Sequence, residues 1–449
     1  MHKVAAEGEG PEVRDERLRT FQFHDPKGTS ILSKSKAPLL IIFITVFIDL
    51  LGFGIVLPLL PRYARHFEAS GQTLGLLMAS FSAMQFVFAP LWGRVSDRVG
   101  RRPVLMLGLA GSTVFYGLFG YATSLGVGGQ LLGLGVLPWL FICRIGAGIA
   151  GATIPTAQAY IADVTGPTER AKGMALIGAA FGIGFTFGPL LGAAFLGAGS
   201  EPSAAPGYVA AVLSGLAFLS SVVLLPESLR LDVAREARHW LDLKALRDAL
   251  AIPSIGLILF TTFLTTFAFA QFESTLSLLT QHLGLADKYN YFVFAYVGFI
   301  LSLSQGMLVR RLVPRVGEFA MAVAGTLLMT AGLALIGFSG QAGSRQMLYA
   351  VLPTCVVGFS ALTPSLQGLL SRRTAASQQG GILGVGQSMS ALARILGPWI
   401  GLQLNEKQIT LPYWVGAAIM AVGVLLTLLL RTGTPLAPAG GEGSGVRGE

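Results

Sequence analysis

Residues Gly93 to Pro103 read GRVSDRVGRRP. One carboxylate, Asp97, and four arginines, Arg94, Arg98, Arg101 and Arg102, stand among two glycines, Gly93 and Gly100, with long apolar runs on both sides. Such a charge density does not fit inside hydrocarbon, where a single Arg or Asp at a helix centre costs about 2.5 to 3.5 kcal/mol. The segment therefore reads as a turn at a membrane surface. The apolar runs beside it read as spans.

Outward from this turn, twelve apolar runs start near residues 38, 73, 103, 136, 172, 206, 254, 290, 318, 346, 380 and 411. Each supplies about the 20 helical residues that a hydrocarbon core about 30 Å thick requires. Their length and lack of alternation exclude barrel strands. With 53% apolar residues, 12% charged residues and a mean hydropathy of +0.65 over 449 residues, an ordinary soluble protein is excluded. The fold class is thus an all-α polytopic membrane protein in contact with lipid throughout. No short apolar region with a cleavage site precedes the first run, so no removable signal peptide is expected. The polar head, residues 1–36, and the Gly-rich tail, 432–449, read as disordered cytoplasmic ends.

The formal net charge of +9 does not point to nucleic acid, because the basic residues are not clustered with aromatics. They mark topology. With the N-terminus inside, the loops after helices 2, 4, 8 and 10 hold eleven Lys and Arg, and all outer loops hold five. The positive-inside rule then places both termini in the cytoplasm, in a plasma membrane or a bacterial inner membrane. Cys143 and Cys355 fall inside predicted helices and read as small core hydrophobes, not as a disulfide or metal site.

The chain repeats itself. GPLLG at Gly188–Gly192 in helix 5 recurs as GPWIG at Gly397–Gly401 in helix 11, and GRVSDR at Gly93–Arg98 is echoed by GMLVRR at Gly306–Arg311. Both echoes lie six helices apart. They divide the chain into an N-terminal bundle, 37–226, a central cytoplasmic loop, 227–252, and a C-terminal bundle, 253–431. A parallel six-helix repeat suggests a transporter whose substrate site lies between the halves near mid-membrane, and packing alone is the competing reading.

GRVSDRVGRRP resembles the signature loop of the major facilitator superfamily. FIDLLGFGIVLPLLP (Phe47–Pro61), RIGAGIAGATIPTAQAYIADVT (Arg144–Thr165) and FGIGFTFGPLLG (Phe181–Gly192) are similar to its twelve-helix drug:proton antiporter branch, especially the tetracycline/proton antiporters. The resemblance covers most of the N-terminal half and implies two pseudo-symmetric six-helix bundles. It also implies that Asp97 and the arginines Arg98, Arg101 and Arg102 steady an outward-facing state against helix 11. Physically, Gly93 and Gly100 permit tight turning, and Asp97 can accept from neighbouring arginines or helix-terminal amides. In helix 5, Gly184, Gly188 and Gly192 form one smooth face and Pro189 adds a bend. The resemblance identifies these as an antiporter motif sealing contacts between the halves.

Four strongly ionisable residues fall inside predicted spans: Asp49 in helix 1, Arg144 in helix 4, Glu273 in helix 7 and Arg394 in helix 11. Intramembrane charges are functional candidates by default. Asp49 and Arg144 both lie roughly 18 to 20 Å from the cytoplasmic face at 1.5 Å per residue. They are expected to pair, with Asp49 alternately binding a proton and engaging Arg144. A static pair fixing helices 1 and 4 is the alternative. Glu273 reads as a second proton or cation site, or as a wetted outer-vestibule residue. Arg394 reads as a structural anchor or as the counter-charge of an anionic substrate. Gln158, Gln271, Phe272 and Gln387 complete the candidate cavity.

The function read from these residues is proton-coupled efflux of an amphipathic organic compound by alternating access, working as a monomer with the proton as coupling ion and no other cofactor. Transport of an organic anion or other metabolite is the alternative. No Lys follows a Gly, so there is no GxxxxGK phosphate loop, and the five histidines form no cluster. An enzyme is not expected.

Overall fold

Prolines and glycines decide where these helices bend. The computed structural model describes residues 36–165, 170–196, 202–229, 253–374 and 379–430. The expected disordered ends and most of the central loop, 227–252, lie outside them. The described residues form twelve long helical stretches: α1 (Lys36–Val56, resuming as Leu60–His66), α2 (Gly71–Val99), α3 (Arg101–Ser124), α4 (Val136–Ala150, resuming as Ile154–Val164), α5 (Arg170–Ala194) and α6 (Ala205–Leu224) in the first half. The second half holds α7 (Pro253–His282), α8 (Asp287–Leu303, with a π turn over Ser304–Val309), α9 (Arg310–Gln341), α10 (Arg345–Arg372), α11 (Gln379–Lys407) and α12 (Leu411–Leu429). Among the described residues, ten helices are long and apolar enough to cross a membrane, and α5 adds the shorter apolar stretch Ala179–Ala194. A two-stranded hairpin, β1 (Gln130–Leu131) and β2 (Leu134–Gly135), joins α3 to α4.

The surface is apolar where a soluble protein's would be charged. Leu107, Val114 and Tyr121 of α3 are exposed at intervals of seven residues, and Val212, Leu216, Leu219 and Val223 of α6 at intervals of three or four. Such stripes face lipid. Within the first half α1 packs on α5 and α6, and α3 on α4 and α6; within the second, α9 packs on α10 and α12, and α7 on α11. The halves meet along two seams, α2 on α11 and α5 on α8. Both cysteines are buried and free.

The two halves also share a turn. Arg-Val-Gly occurs at 98–100 and again at 315–317, and Gly100 (φ +110°) and Gly317 (φ +83°) both adopt a backbone that side chains disfavour. In the first turn Gly100 ends α2, and the Glu227 carboxylate accepts from the freed N–H groups of Arg101 (2.8 Å) and Arg102 (3.1 Å) at the start of α3. Arg101 is buried, pairing with Asp97 (2.6 Å) and Asp163 (3.2 Å) and donating to Ser96 Oγ (2.7 Å). The loop thereby ties α2, α3, α4 and the end of α6 together. The role expected of Gly93 is corrected: α2 continues through it, and a β-carbon there would meet nothing within 4 Å.

The α5 glycines have different partners from those expected. A β-carbon on Gly184 would press on Leu50 (3.0 Å), and one on Gly188 on the backbone of Gly54 (2.9 Å), so these two seat α1 within the same half. Gly192 does face the other half, against Tyr291 of α8. Gly188→Val should separate α1 from α5 and lower stability by about 1 to 3 kcal/mol, the usual range for overpacking. Thermal unfolding in detergent would show a lower Tm. Gly384→Ala, where a β-carbon meets nothing within 4 Å, should leave Tm unchanged.

Candidate functional site

Two proline breaks shape the middle of the molecule. Pro155, near the start of the second piece of α4, has no N–H to give the Gly151 carbonyl four residues back. Gln85 of α2 donates to that carbonyl instead (3.2 Å), and Trp92 donates to Ile149 O (2.8 Å). In α1, Pro58 and Pro61 interrupt the ladder, and the Leu59 N–H turns back to Val56 O (3.2 Å), releasing the carbonyl of Ile55.

The second half captures these released groups. Tyr291 of α8 donates to Ile55 O (3.0 Å), and Ser277 of α7 (2.7 Å) and Asn290 of α8 (2.9 Å) both donate to Pro58 O. One turn on, the buried Arg62 guanidinium donates to Ser277 O (3.2 Å), Leu285 O (3.0 Å), Thr280 Oγ1 (2.8 Å) and Asp287 Oδ1 (2.6 Å). Glu406 of α11 pairs with Arg65 (3.8 Å) and accepts from the Gly71 N–H at the start of α2. This network closes the end of the bundle remote from the described chain ends. Outside it lies an open vestibule of about 600 Å³ between Arg65, Gln281, His282 and Glu406.

Behind the closure the intramembrane charges gather. Asp49 is half-buried, with the Ser112 hydroxyl beside its carboxylate. Tyr116 lies within electrostatic reach of both Asp49 and Arg144. Arg144 is buried, its guanidinium carbon 4.3 Å from the centre of the Phe81 ring. Glu273 lies within reach of Arg394 and of Arg144, so charge runs from the first half into the second. Arg394 is exposed and interacts with Glu273 on the neighbouring helix. Gln387, Arg394 and Gly401, seven residues apart, share one face of α11, and Gly401 lies against α7.

This arrangement corrects several expectations. Asp49 and Arg144 form no ion pair within 4.0 Å; Tyr116 is the neighbour they share. Glu273 joins the central charges and does not line the vestibule. Gln271 is buried against α12, donating to the Pro412 carbonyl (2.5 Å), and Phe272 is buried in the core of the second half. Neither is open to solvent. Gln158 and Gln387 are both exposed and, among the described residues, no hydrogen bond joins them to the charges.

Residues not singled out from sequence complete the site. Phe53 stacks on Phe81 (5.1 Å between centroids) and meets Phe185 edge-on (5.8 Å), forming an aromatic wall beside Arg144. Arg62, Asp287, Asn290 and Tyr291 were equally unmarked. The doubled proline of VLPLLP followed at once by Arg62 was the available signal.

The profile of the Major Facilitator Superfamily matches residues 42–398. The chain is 32% identical over 408 residues to the class E tetracycline resistance protein of Escherichia coli, covering 88% of this chain and 95% of that protein. It is 28% identical over 411 residues to multidrug resistance protein 2 of Bacillus subtilis (strain 168), covering 89% and 96%. The crystal structure of the human organic anion transporter MFSD10 (TETRAN) superposes with a TM-score of 0.65 at 27% identity, covering 88% of this chain and 99% of that one.

Tyr291→Phe removes one interhalf hydrogen bond worth about 1 kcal/mol and should shift the closed-to-open balance at this end roughly fivefold. Arg62→Ala, which removes a guanidinium with four acceptors, should shift it further. Spin labels at the exposed positions Val127 and Gln281 would report both as a growing population of longer distances.

Proposed function

Because this chain belongs to the Major Facilitator Superfamily, it is a multi-pass membrane transporter and not an enzyme, and we propose that it exports an amphipathic organic compound in exchange for protons. The observation that carries the reading is that Asp49, Tyr116, Arg144, Glu273 and Arg394 lie each within electrostatic reach of the next, from the first half into the second. A carboxylate in that position changes charge when it binds a proton. Its attraction to the arginines then changes with it, and the halves gain or lose an electrostatic tie. The Phe53, Phe81 and Phe185 wall offers stacking surface to a hydrophobic substrate. Export is supported by the relatives named for tetracycline and multidrug resistance.

With both termini in the cytoplasm of a plasma or bacterial inner membrane, the closed end is outer and the conformation faces inward. The transporter then works as a monomer, with the proton as its coupling ion. An outward-facing state requires the Arg62 network to open. One net charge moved across the membrane is worth about 2.3 kcal/mol per 100 mV, enough to bias such a cycle.

A second reading keeps the fold and changes the cargo to an organic anion, held by Arg394 in competition with Glu273. The exposed guanidinium and the similarity to the human organic anion transporter favour it.

Liposome flux under an imposed pH gradient tests both, with tetracycline, a lipophilic cation and an aromatic carboxylate as probes. Asp49→Asn should lose at least tenfold of the gradient-driven component while still binding the probe. Equal pH dependence in Asp49→Asn and the parent protein rules the coupling role out. Selective loss of carboxylate flux in Arg394→Gln would establish the second reading.

A further inference from the structure

Buried hydroxyls in these helices mostly bond back to the carbonyl one turn earlier, as Thr261, Thr265, Thr326, Ser360, Ser365 and Thr427 do. Thr45 of α1 and Ser214 of α6 do not, although both are almost wholly buried. Their oxygens have no protein partner, and neither has the enclosed Oδ1 of Asp49. Thr45, Asp49 and Gly52 stand at i, i+4 and i+7 and so share one face of α1. A β-carbon on Gly52 would lie 3.3 Å from Ser214 Oγ and 3.1 Å from the Tyr116 ring. Ser112, one turn before Tyr116 on α3, borders the Asp49 carboxylate. Gly52, Tyr116 and Ser214 thus meet at one seam inside the first half, between α1, α3 and α6, and Thr45 and Asp49 stand on the α1 face that enters it.

Unpartnered polar atoms enclosed together call for a small polar occupant able both to donate and to accept. We propose that this seam is a hydration site, lined by Thr45, Ser112 and Ser214, that delivers protons to Oδ1 of Asp49 from within the N-terminal bundle and not through the substrate cleft. The carboxylate then has two sides. One oxygen is enclosed, and the residue as a whole remains partly exposed. The proton enters as hydronium, passes to Oδ1 and leaves water behind, so no other reactant is needed. The titratable or charged groups facing Asp49 are Tyr116 on α3 and, beyond it, Arg144 on α4. The α5 surface packed on this part of α1 is glycine, Gly184 and Gly188, and α6 offers Ser214. A separate proton route lets bulky substrate occupy the cleft without blocking protonation.

The inference rests on the coupling role proposed for Asp49. Infrared difference spectroscopy after a pH jump on the purified full chain tests it, using the protonated-carboxyl band that disappears in Asp49→Asn. Thr45→Val with Ser214→Ala should slow the rise of that band about tenfold, while Thr45→Ser, which keeps the hydroxyl, should match the parent protein. Should the double variant fail to fold, Ser214→Ala alone should still slow it severalfold. An unchanged rate overturns the hydration site and leaves the coupling role standing. Loss of the band on adding Na⁺ at constant pH makes the seam a metal-cation site and overturns the proposal. Absence of any Asp49 band in the parent protein overturns the coupling role and this inference with it.

Discussion

A backbone carbonyl released by a proline inside a membrane has no water to turn to, and this constraint organises the molecule. At the break in α4 the donors come from α2 of the same half, through Gln85 and Trp92. At the break in α1 they come from the opposite half, through Ser277, Asn290 and Tyr291. The same chemical need therefore makes a joint within one half in one place and a joint between the halves in the other.

Charge is distributed by the same logic. At the loop after α2, buried Arg101 is held by Asp97, Asp163 and Ser96, with Glu227 on the helix terminus beneath it, and these ties stay inside one half. In the middle of the spans the charges are spread across both halves at longer range, from Asp49 to Arg394 through Tyr116, Arg144 and Glu273. Tight pairing would fix the halves together, because removing either partner of a buried pair is costly. In the proposed exchange cycle, a looser arrangement would leave the equilibrium responsive to one proton or one charged substrate.

The helix starts were legible because hydrophobic length is a local property: runs expected near 136 and 411 begin at Val136 and Leu411, and the others within a few residues, apart from α9. That run was expected near 318, but α9 starts at Arg310 and kinks at Gly317, since a short amphipathic turn precedes its apolar stretch. The intramembrane charges were legible for the same reason, as exceptions in apolar runs. Their partners were not. Matching depth along the membrane normal suggested Asp49 with Arg144, but depth leaves rotation about each helix axis open, and the observed packing gives them Tyr116 as a shared neighbour in place of a direct ion pair. Gln271 failed likewise: a polar residue near Glu273 was expected to line the cavity, yet two residues along a helix are a turn of about 200°, which carries it to Pro412 of α12.

By itself the sequence determined what each segment can tolerate: which stretches cross lipid, where they must bend, which turn carries charge and which residues are too costly to be idle. These follow from transfer energies and backbone sterics, which depend on neighbours in the chain. Tertiary structure alone decided which half supplies the donors for the α1 break, that Gly184 and Gly188 seat α1 while Gly192 meets Tyr291, and which of the central ionisable groups are neighbours. Those outcomes depend on the angular setting and crossing of helices more than 200 residues apart, such as Pro58 and Asn290, where |i−j| is 232. No local preference encodes that setting; it emerges only when all the faces are packed together.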